Sequence, residues 1–178
     1  DKLAQANKQG QEAGAAAQKN ADEKKAAELA NTDVRTYTAP DDAGNFRLSI
    51  PKSWSLSVSP NDAGSTITAI SNPDYIDTKS DQYSLRYSLR NQDYDAAVKT
   101  YDAQTKGTPA TPAKLTKQEI TVSGIKGVRY TGQLSSKIPN GTVVLLPVRD
   151  KTFIIQTDDN SKYLTNYNTI LNSIHITP

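Results

Sequence analysis

From residue 46 onward, apolar and polar residues alternate in short runs, which is the pattern of β-strands that bury one face. In residues 46–58 every large apolar residue has an even number, but Pro51 interrupts the alternation. Proline cannot donate a hydrogen bond to a neighbouring strand, so it ends a strand or marks a bend. The run therefore predicts two strands, at residues 46–50 and 54–58, joined by a corner.

The rest of the chain contains further strands separated by short turns. Residues 83–90 have the sequence YSLRYSLR, which places Tyr and Leu on one face of a strand and Ser and Arg on the other. Residues 143–148 are almost wholly apolar, as expected of a central strand that is covered on both faces. Connections of hairpin length imply that the strands pair antiparallel. Further strands are predicted at residues 66–70, 118–123, 127–131 and 153–157.

Two segments have the periodicity of helices. Between Tyr94 and Tyr101, apolar residues recur at the i, i+3, i+4 and i+7 positions of one helix face. A second helix is predicted at residues 161–172. Asp158 and Asp159 precede it, where the helix dipole favours negative charge. Each of these helices needs a sheet face to cover.

An antiparallel sheet with two helices to cover it predicts an α+β domain over residues 46–178. The expected architecture is an α/β/α sandwich with a central antiparallel sheet and two main helices, and Trp54 is expected in its core. A β-barrel is the competing class, and the two amphipathic segments argue against it.

The first part of the chain differs in composition from the rest. Residues 1–31 are rich in Ala, Gln, Lys and Glu, and Leu3 and Leu29 are their large apolar residues. These residue types favour a helix, but the helix would have little to bury. It is predicted to be an Ala-rich, solvated stalk that acts as a spacer, and pairing with a partner helix is the alternative. Residues 32–45, which include Pro40, are predicted to be a linker.

The composition limits the chemistry. With 21 basic and 19 acidic residues, the net charge of +2 provides no steering field for nucleic acid or an anionic membrane. The chain contains no Cys, so it has no disulfide, no thiolate nucleophile and no Cys-based metal site. His175 is the single histidine, which excludes a His-rich zinc site, and strand alternation predicts that it is an exposed surface residue. No cofactor is predicted.

Four stretches resemble the PsbP-like family. FRLSIPKSW at residues 46–54 resembles the opening strand and corner of that fold, and ITVSGIKGVRYTG at residues 120–132 resembles its hairpin about a glycine turn. KTFIIQT at residues 151–157 and YLTNYNTILNSIHI at residues 163–176 are similar to its last long strand and closing helix. The resemblance implies an α/β/α sandwich without a catalytic motif, in a bacterial exported relative that often has an anchor upstream. The best-known members are lumenal extrinsic subunits of photosystem II, but the stalk is not part of the family core.

No catalytic or metal-binding residue is assigned from the sequence. Neither a GxGxxG motif nor a P-loop is present, so nucleotide binding has no support. Asp74, Asp77 and Asp81 lie in one predicted loop, but their spacing is not that of a calcium-binding loop. Loop solvation accounts for them. A pair of carboxylates like that of a glycosidase stays open, because no spacing rule locates one in a sequence.

Two arginines are the candidate binding residues. Arg86 and Arg90 share one face of the strand at residues 83–90, about 13 Å apart at 3.3 Å per residue. They can meet an anionic partner, or they can pair with acids on adjacent strands and helices. The loop at residues 105–114 is the second candidate surface.

These observations predict a non-enzymatic module that binds a protein or assembles a complex at the cell envelope. An extracytoplasmic position is expected from the missing start Met, the spacer, the absence of Cys and the family resemblance. The expected form is a monomer with an envelope protein as its partner, in contact with a membrane only through a removed upstream anchor. The alternatives are a carboxylate-dependent hydrolase and a small-ligand carrier.

Overall fold

The computed structural model describes residues 2–40, 46–62, 64–73, 75–76 and 80–177. Three helices and ten strands follow one another along this part of the chain. Their order is α1 Lys2–Thr32, β1 Val34–Thr38, β2 Phe46–Pro51, β3 Ser55–Asp62, β4 Ser65–Asn72, β5 Leu85–Arg90, α2 Tyr94–Asp102, β6 Leu115–Val122, β7 Ile125–Gly132, β8 Gly141–Val148, β9 Lys151–Thr157, α3 Asn160–Asn172 and β10 His175–Ile176.

The strands form two antiparallel sheets. The large sheet has seven strands in the order β3-β4-β5-β9-β8-β7-β6, and the small sheet has three in the order β1-β2-β10. The predicted corner at Pro51 is present, with the Trp54 amide donating to the Pro51 carbonyl across 3.0 Å. This corner takes the chain from the small sheet to the edge of the large one. The α+β class is confirmed, with the strands divided between two sheets.

Helices cover both faces of the large sheet. On one face, α2 packs over a cluster formed by β6 to β9 that includes Val143, Leu145 and Ile154. On the other face, α3 and the small sheet enclose the larger core, in which Trp54 is 4% exposed. Strand β8 contributes to both clusters and is buried along nearly its whole length, as its apolar sequence predicted. The result is a three-layer sandwich.

Strand β1 corrects the sequence interpretation of residues 32–45 as a linker. Val34–Thr38 pairs with β2, and Val34 lies opposite Pro51. Its side chains are exposed except for Tyr37, which is half-buried against the core, so the segment lacks the apolar alternation that signals a strand. Residues 41–45 lie outside the described residues. The folded domain therefore begins before residue 46.

The small sheet joins two distant parts of the chain. Strand β10 pairs with the opposite side of β2, so β2 is bordered by β1 and β10. Beside this pairing, the Ser49 amide donates to the Ser173 hydroxyl across 2.9 Å, and these residues are 124 positions apart in the sequence.

The helix that the composition of residues 1–31 predicted is present as α1. It has 31 residues, which corresponds to about 46 Å at 1.5 Å per residue. The side chains of residues 11–21 are all exposed. In the described part of the chain, none of the helices has the length and apolarity required to span a bilayer. A spacer role for α1 stays a prediction.

Candidate functional site

Helix α2 leaves part of the large sheet uncovered, and an open groove lies over β4, β5 and β9. The groove consists of two adjoining cavities of about 180 and 220 Å³ that share Arg90, Tyr101 and Ile154. We call this surface the β5 groove. Its remaining lining residues are Thr68, Arg86, Tyr87, Ser88, Gln92, Ala97, Thr100, Gln104, Leu134 and Gln156.

The strand register places both candidate arginines in the groove. Residues two apart on a strand point to the same face, so Arg86, Ser88 and Arg90 all face the α2 side of the sheet. Ser88 lies between Thr68 of β4 and Ile154 of β9, which form the floor. Leu85, Tyr87 and Leu89 are buried in the larger core on the opposite side, as the YSLRYSLR repeat predicted. Tyr83 precedes β5 and is also buried, but its ring lies beside Arg86 rather than in that core.

Arg86 is held by a buried carboxylate. Its Nε atom donates to Oδ2 of Asp158 across 2.6 Å, and the Asp158 side chain is fully buried. The same oxygen accepts from the Tyr83 amide at 2.8 Å, and Oδ1 accepts from Nε2 of Gln156 at 2.6 Å. The Arg86 guanidinium also lies 4.4 Å from the centre of the Tyr83 ring. Its charge is therefore compensated within the fold.

Asp158 has a different position from the one that the sequence suggested. The residue that caps α3 is Asp159, whose Oδ1 atom accepts from the Ser161 amide at 3.0 Å. The hydrogen bond from the Ser161 hydroxyl is the main cause that lowers the pKa of Asp159, and the bond from the Ser161 amide adds to it. Asp158 instead turns inward beneath Arg86. No local pattern distinguishes these two adjacent acids.

Arg90 has no compensating partner among the residues that the structure describes. It is exposed at the end of β5, and its guanidinium makes neither an ion pair nor a hydrogen bond with any of them. The half-buried Tyr101 hydroxyl is likewise without a hydrogen-bond partner in the described part of the chain. Burial raises the pKa of Tyr101 even though Arg90 opposes this shift, so the hydroxyl remains a donor at neutral pH.

The end of α2 is fixed by contacts that position Tyr101. The Tyr101 ring stacks on Tyr130, with ring centres 5.2 Å apart. The Tyr130 hydroxyl donates to Oδ1 of Asp102 at 2.7 Å, and Nζ of Lys117 lies 2.8 Å from the same oxygen. The hydrogen bonds from Lys117 and then Tyr130 lower the pKa of Asp102. These contacts tie α2 to β6 and β7.

The remaining predicted residues lie away from the groove or at its margin. Asp81 is exposed and pairs with Lys137 at 2.9 Å, and Asp74 and Asp77 lie outside the described residues. His175 is exposed on β10. The loop at residues 105–114 is largely exposed and does not line the groove. Within the described ranges, no three His, Asp or Glu side chains are close enough to hold a metal ion.

A separate depression of about 440 Å³ lies on the β6–β7 hairpin. Its lining includes Tyr94 and Val128, and the exposed side chains of Glu119, Thr121 and Lys126 stand around it. Glu119 on β6 and Lys126 on β7 have opposite charges, so the depression has no net charge from these two residues. The depression is open rather than enclosed.

Comparisons with known proteins concern the fold. Neither the models of known protein families nor the curated proteins include a match to this chain. Among solved structures, cyanobacterial PsbP from Synechocystis sp. PCC 6803 is similar over 82% of this chain and 93% of its own, with 14% identity and a TM-score of 0.50. The chain shares the PsbP-like fold. The fold expected from the four sequence stretches is thereby confirmed.

Two further solved structures are similar at lower TM-scores. LpqN of Mycobacterium tuberculosis, a protein involved in cell envelope biogenesis, is 15% identical over 82% of this chain and 92% of its own, with a TM-score of 0.41. PA94, a protein of unknown function from Pseudomonas aeruginosa, is 14% identical over 82% of this chain and 98% of its own, with a TM-score of 0.36.

Proposed function

We propose that this protein is a non-enzymatic binding module that receives a segment of a partner protein in the β5 groove. The observation that carries the proposal is a pair of donors in one groove, the Arg90 guanidinium and the Tyr101 hydroxyl, that have no partner among the described residues. Polar groups that converge on a concave surface provide orientation and specificity for a ligand.

The groove offers little to a carboxylate-dependent hydrolase. None of its lining residues is acidic. The nearby carboxylates have structural partners: Asp158 accepts three hydrogen bonds beneath Arg86, and Asp102 accepts from Lys117 and Tyr130. Since the pKa of Asp102 is lowered, this group is ionised at neutral pH and does not serve as a general acid. These contacts favour binding over hydrolysis.

The dimensions of the groove favour a protein segment over a small enclosed ligand. Small-molecule pockets usually have volumes of about 300–1,000 Å³ and enclose most of the ligand. The two cavities of the groove, at about 180 and 220 Å³, reach this range only when taken together, and they join side by side along the sheet as an open surface rather than as one enclosed space. The larger depression near Glu119 is open at its rim. A carrier is therefore the less favoured alternative.

The proposal places the domain outside the cytoplasm, with α1 as a spacer between the domain and the membrane surface. The exposed side chains of residues 11–21 support this role. Because the chain has no Cys, a single cysteine introduced as Lys106→Cys reports its compartment. We expect a membrane-impermeant maleimide to label it in intact cells. Labelling that occurs only after lysis would contradict the placement.

The binding function is tested by site-specific photo-crosslinking in intact cells. Thr100 lines the groove, whereas its neighbour Lys99 is exposed on α2 outside it. A photoreactive residue at position 100 should give a discrete protein adduct that the same residue at position 99 does not give. Adding Arg90→Gln should reduce the yield. Equal adducts from both positions, or turnover in a hydrolase screen that one carboxylate substitution abolishes, would overturn the proposal.

A further inference from the structure

We infer that the segment in the β5 groove is extended and presents one acidic side chain, which Arg90 and Tyr101 bind together. This inference rests on the proposed function and names the chemistry of the partner. It does not follow from the sequence, in which Arg86 and Arg90 are equivalent.

The charge of the groove is asymmetric. The positive charge of Arg86 is compensated by Asp158, which accepts from its Nε atom at 2.6 Å. The charge of Arg90 is not compensated by any of the described residues. The other polar residues that line the groove, such as Ser88 and Gln104, are neutral. A partner with one negative charge therefore matches the groove.

The position of Arg90 indicates a side chain rather than a terminal carboxylate. Arg90 and Tyr101 line both cavities, so they lie where the two cavities meet. A bound chain can then continue on either side of them. From Arg86 to Arg90 the floor spans about 13 Å, which accommodates about four residues of extended chain.

The two donors suit a carboxylate in particular. A guanidinium forms directional, charge-assisted hydrogen bonds with a carboxylate, and the Tyr101 hydroxyl supplies a further donor. A phosphate group carries more charge than a single free arginine compensates. Recognition of a phosphorylated segment or of nucleic acid usually employs several cations, and Arg86 is already engaged by Asp158.

The test uses the full chain and two pools of blocked heptapeptides. Both pools contain mixed uncharged residues, but one has Glu and the other Gln at the central position. We expect the Glu pool to bind about tenfold more tightly, since a hydrogen bond to a charged group contributes about 1.5 kcal/mol. Arg90→Gln should remove this preference, Tyr101→Phe should reduce it severalfold, and Lys99→Gln, on the exposed side of α2, should retain it.

The outcomes separate the inference from the proposed function. Amide chemical shifts of Ser88 and Thr100 report whether a pool occupies the groove. Equal binding of both pools with shifts at these residues would overturn the acidic partner and leave the binding function standing. An absence of binding and of shifts would overturn both. Preferential binding of a matched phosphoserine pool, or of a single-stranded oligonucleotide, would also overturn the acidic side chain.

Discussion

The guanidinium of Arg86 lies against the fully buried carboxylate of Asp158, at 2.6 Å and across 72 residues of sequence. This ion pair joins β5 to the segment between β9 and α3. It gives Arg86 a structural role, while Arg90, four residues later on the same face, stays exposed to the groove.

Replacing Arg86 should therefore destabilise the fold. Removal of one partner of a buried ion pair leaves an uncompensated charge and costs about 3–5 kcal/mol. Arg86 is 34% exposed, and Asp158 keeps its bonds from Tyr83 and Gln156, so we expect Arg86→Gln to cost about 3 kcal/mol. Urea unfolding measures this free energy.

Arg90→Gln is the matched control for that measurement. It removes the same side chain from an exposed position on the same strand, and we expect a change within about 0.5 kcal/mol. If both substitutions change the free energy of unfolding equally, the division of roles between the two arginines is wrong.

Two buried tyrosines should respond in opposite ways to loss of the hydroxyl group. The Tyr87 hydroxyl is buried without a hydrogen-bond partner among the described residues, whereas that of Tyr167 donates to the Ile155 carbonyl at 2.8 Å. A buried unpaired polar group costs about 1–3 kcal/mol, so Tyr87→Phe should raise the free energy of unfolding. Tyr167→Phe should lower it by about 1 kcal/mol. Thermal melts of both variants provide the comparison, and a loss of stability in Tyr87→Phe would indicate a hidden partner.

Trp54 should be among the costliest core residues to truncate. It is 4% exposed, its ring lies edge-on to Tyr163 of α3, and its carbonyl accepts from Arg35 at 2.7 Å. We expect Trp54→Ala to cost about 3–5 kcal/mol in chemical denaturation. Tyr75, which is 88% exposed, is the aromatic control, and its replacement by Ala should change stability by less than about 0.5 kcal/mol. A cost below about 1 kcal/mol for Trp54 would contradict its place in the core.

Two truncations distinguish a dispensable helix from a structural strand. A chain that begins at Asp33 loses α1 but keeps β1 and the 2.6 Å pair between Asp33 and Lys52. We expect it to lose helical circular dichroism and to keep its melting temperature. A chain that begins at Ala39 also loses β1, whose Tyr37 lies 5.9 Å from the Tyr87 ring, and should melt several degrees lower. A decrease of about ten degrees for the first chain would show that α1 packs on the core.

Asp102 should contribute stability that depends on pH. Folding lowers the pKa of Asp102 below its ordinary value of 3.8. Its contribution to stability is therefore complete above pH 3.8 and is lost as the pH falls through the lowered pKa. Because the side chain is 35% exposed, solvent screens the interaction, and Asp102→Asn should cost at most about 1 kcal/mol at pH 7. The difference from the original chain should shrink as urea unfolding is repeated from pH 4 downward. Lys117→Gln removes the main cause and should reduce the same pH dependence.

Patterns within single elements predict the strands and their buried faces. The alternation in YSLRYSLR assigned the buried face of β5 correctly, and the apolar run at residues 143–148 identified the central strand. Both signals reside within one element, because burial on one or both faces determines the residue types directly. Strand β1 was missed for the same reason, since its side chains are mostly exposed and leave no apolar pattern.

The site depended on contacts that local patterns do not encode. Arg86 and Arg90 occupy equivalent positions of a repeated tetrapeptide, and the residue that distinguishes them is Asp158, far away in the sequence. The periodicity places Tyr101 on the helix face that covers the sheet. Only the packing of α2 beside β5 and β9 shows that the Tyr101 hydroxyl has no hydrogen-bond partner among the described residues. The one signal for this role in the sequence is that Tyr101 has a polar hydroxyl group and lies at the margin of the apolar face of the helix.

Strand β2 lies between β1 and β10, so the small sheet is complete only after β10 has been synthesised. While the ribosome is still adding residues, the early strands, β2 among them, emerge long before β10 exists. Contacts between such distant positions form late because the intervening chain must first be ordered. The nascent domain therefore leaves the β10 side of β2 without its partner strand until residue 176 has emerged.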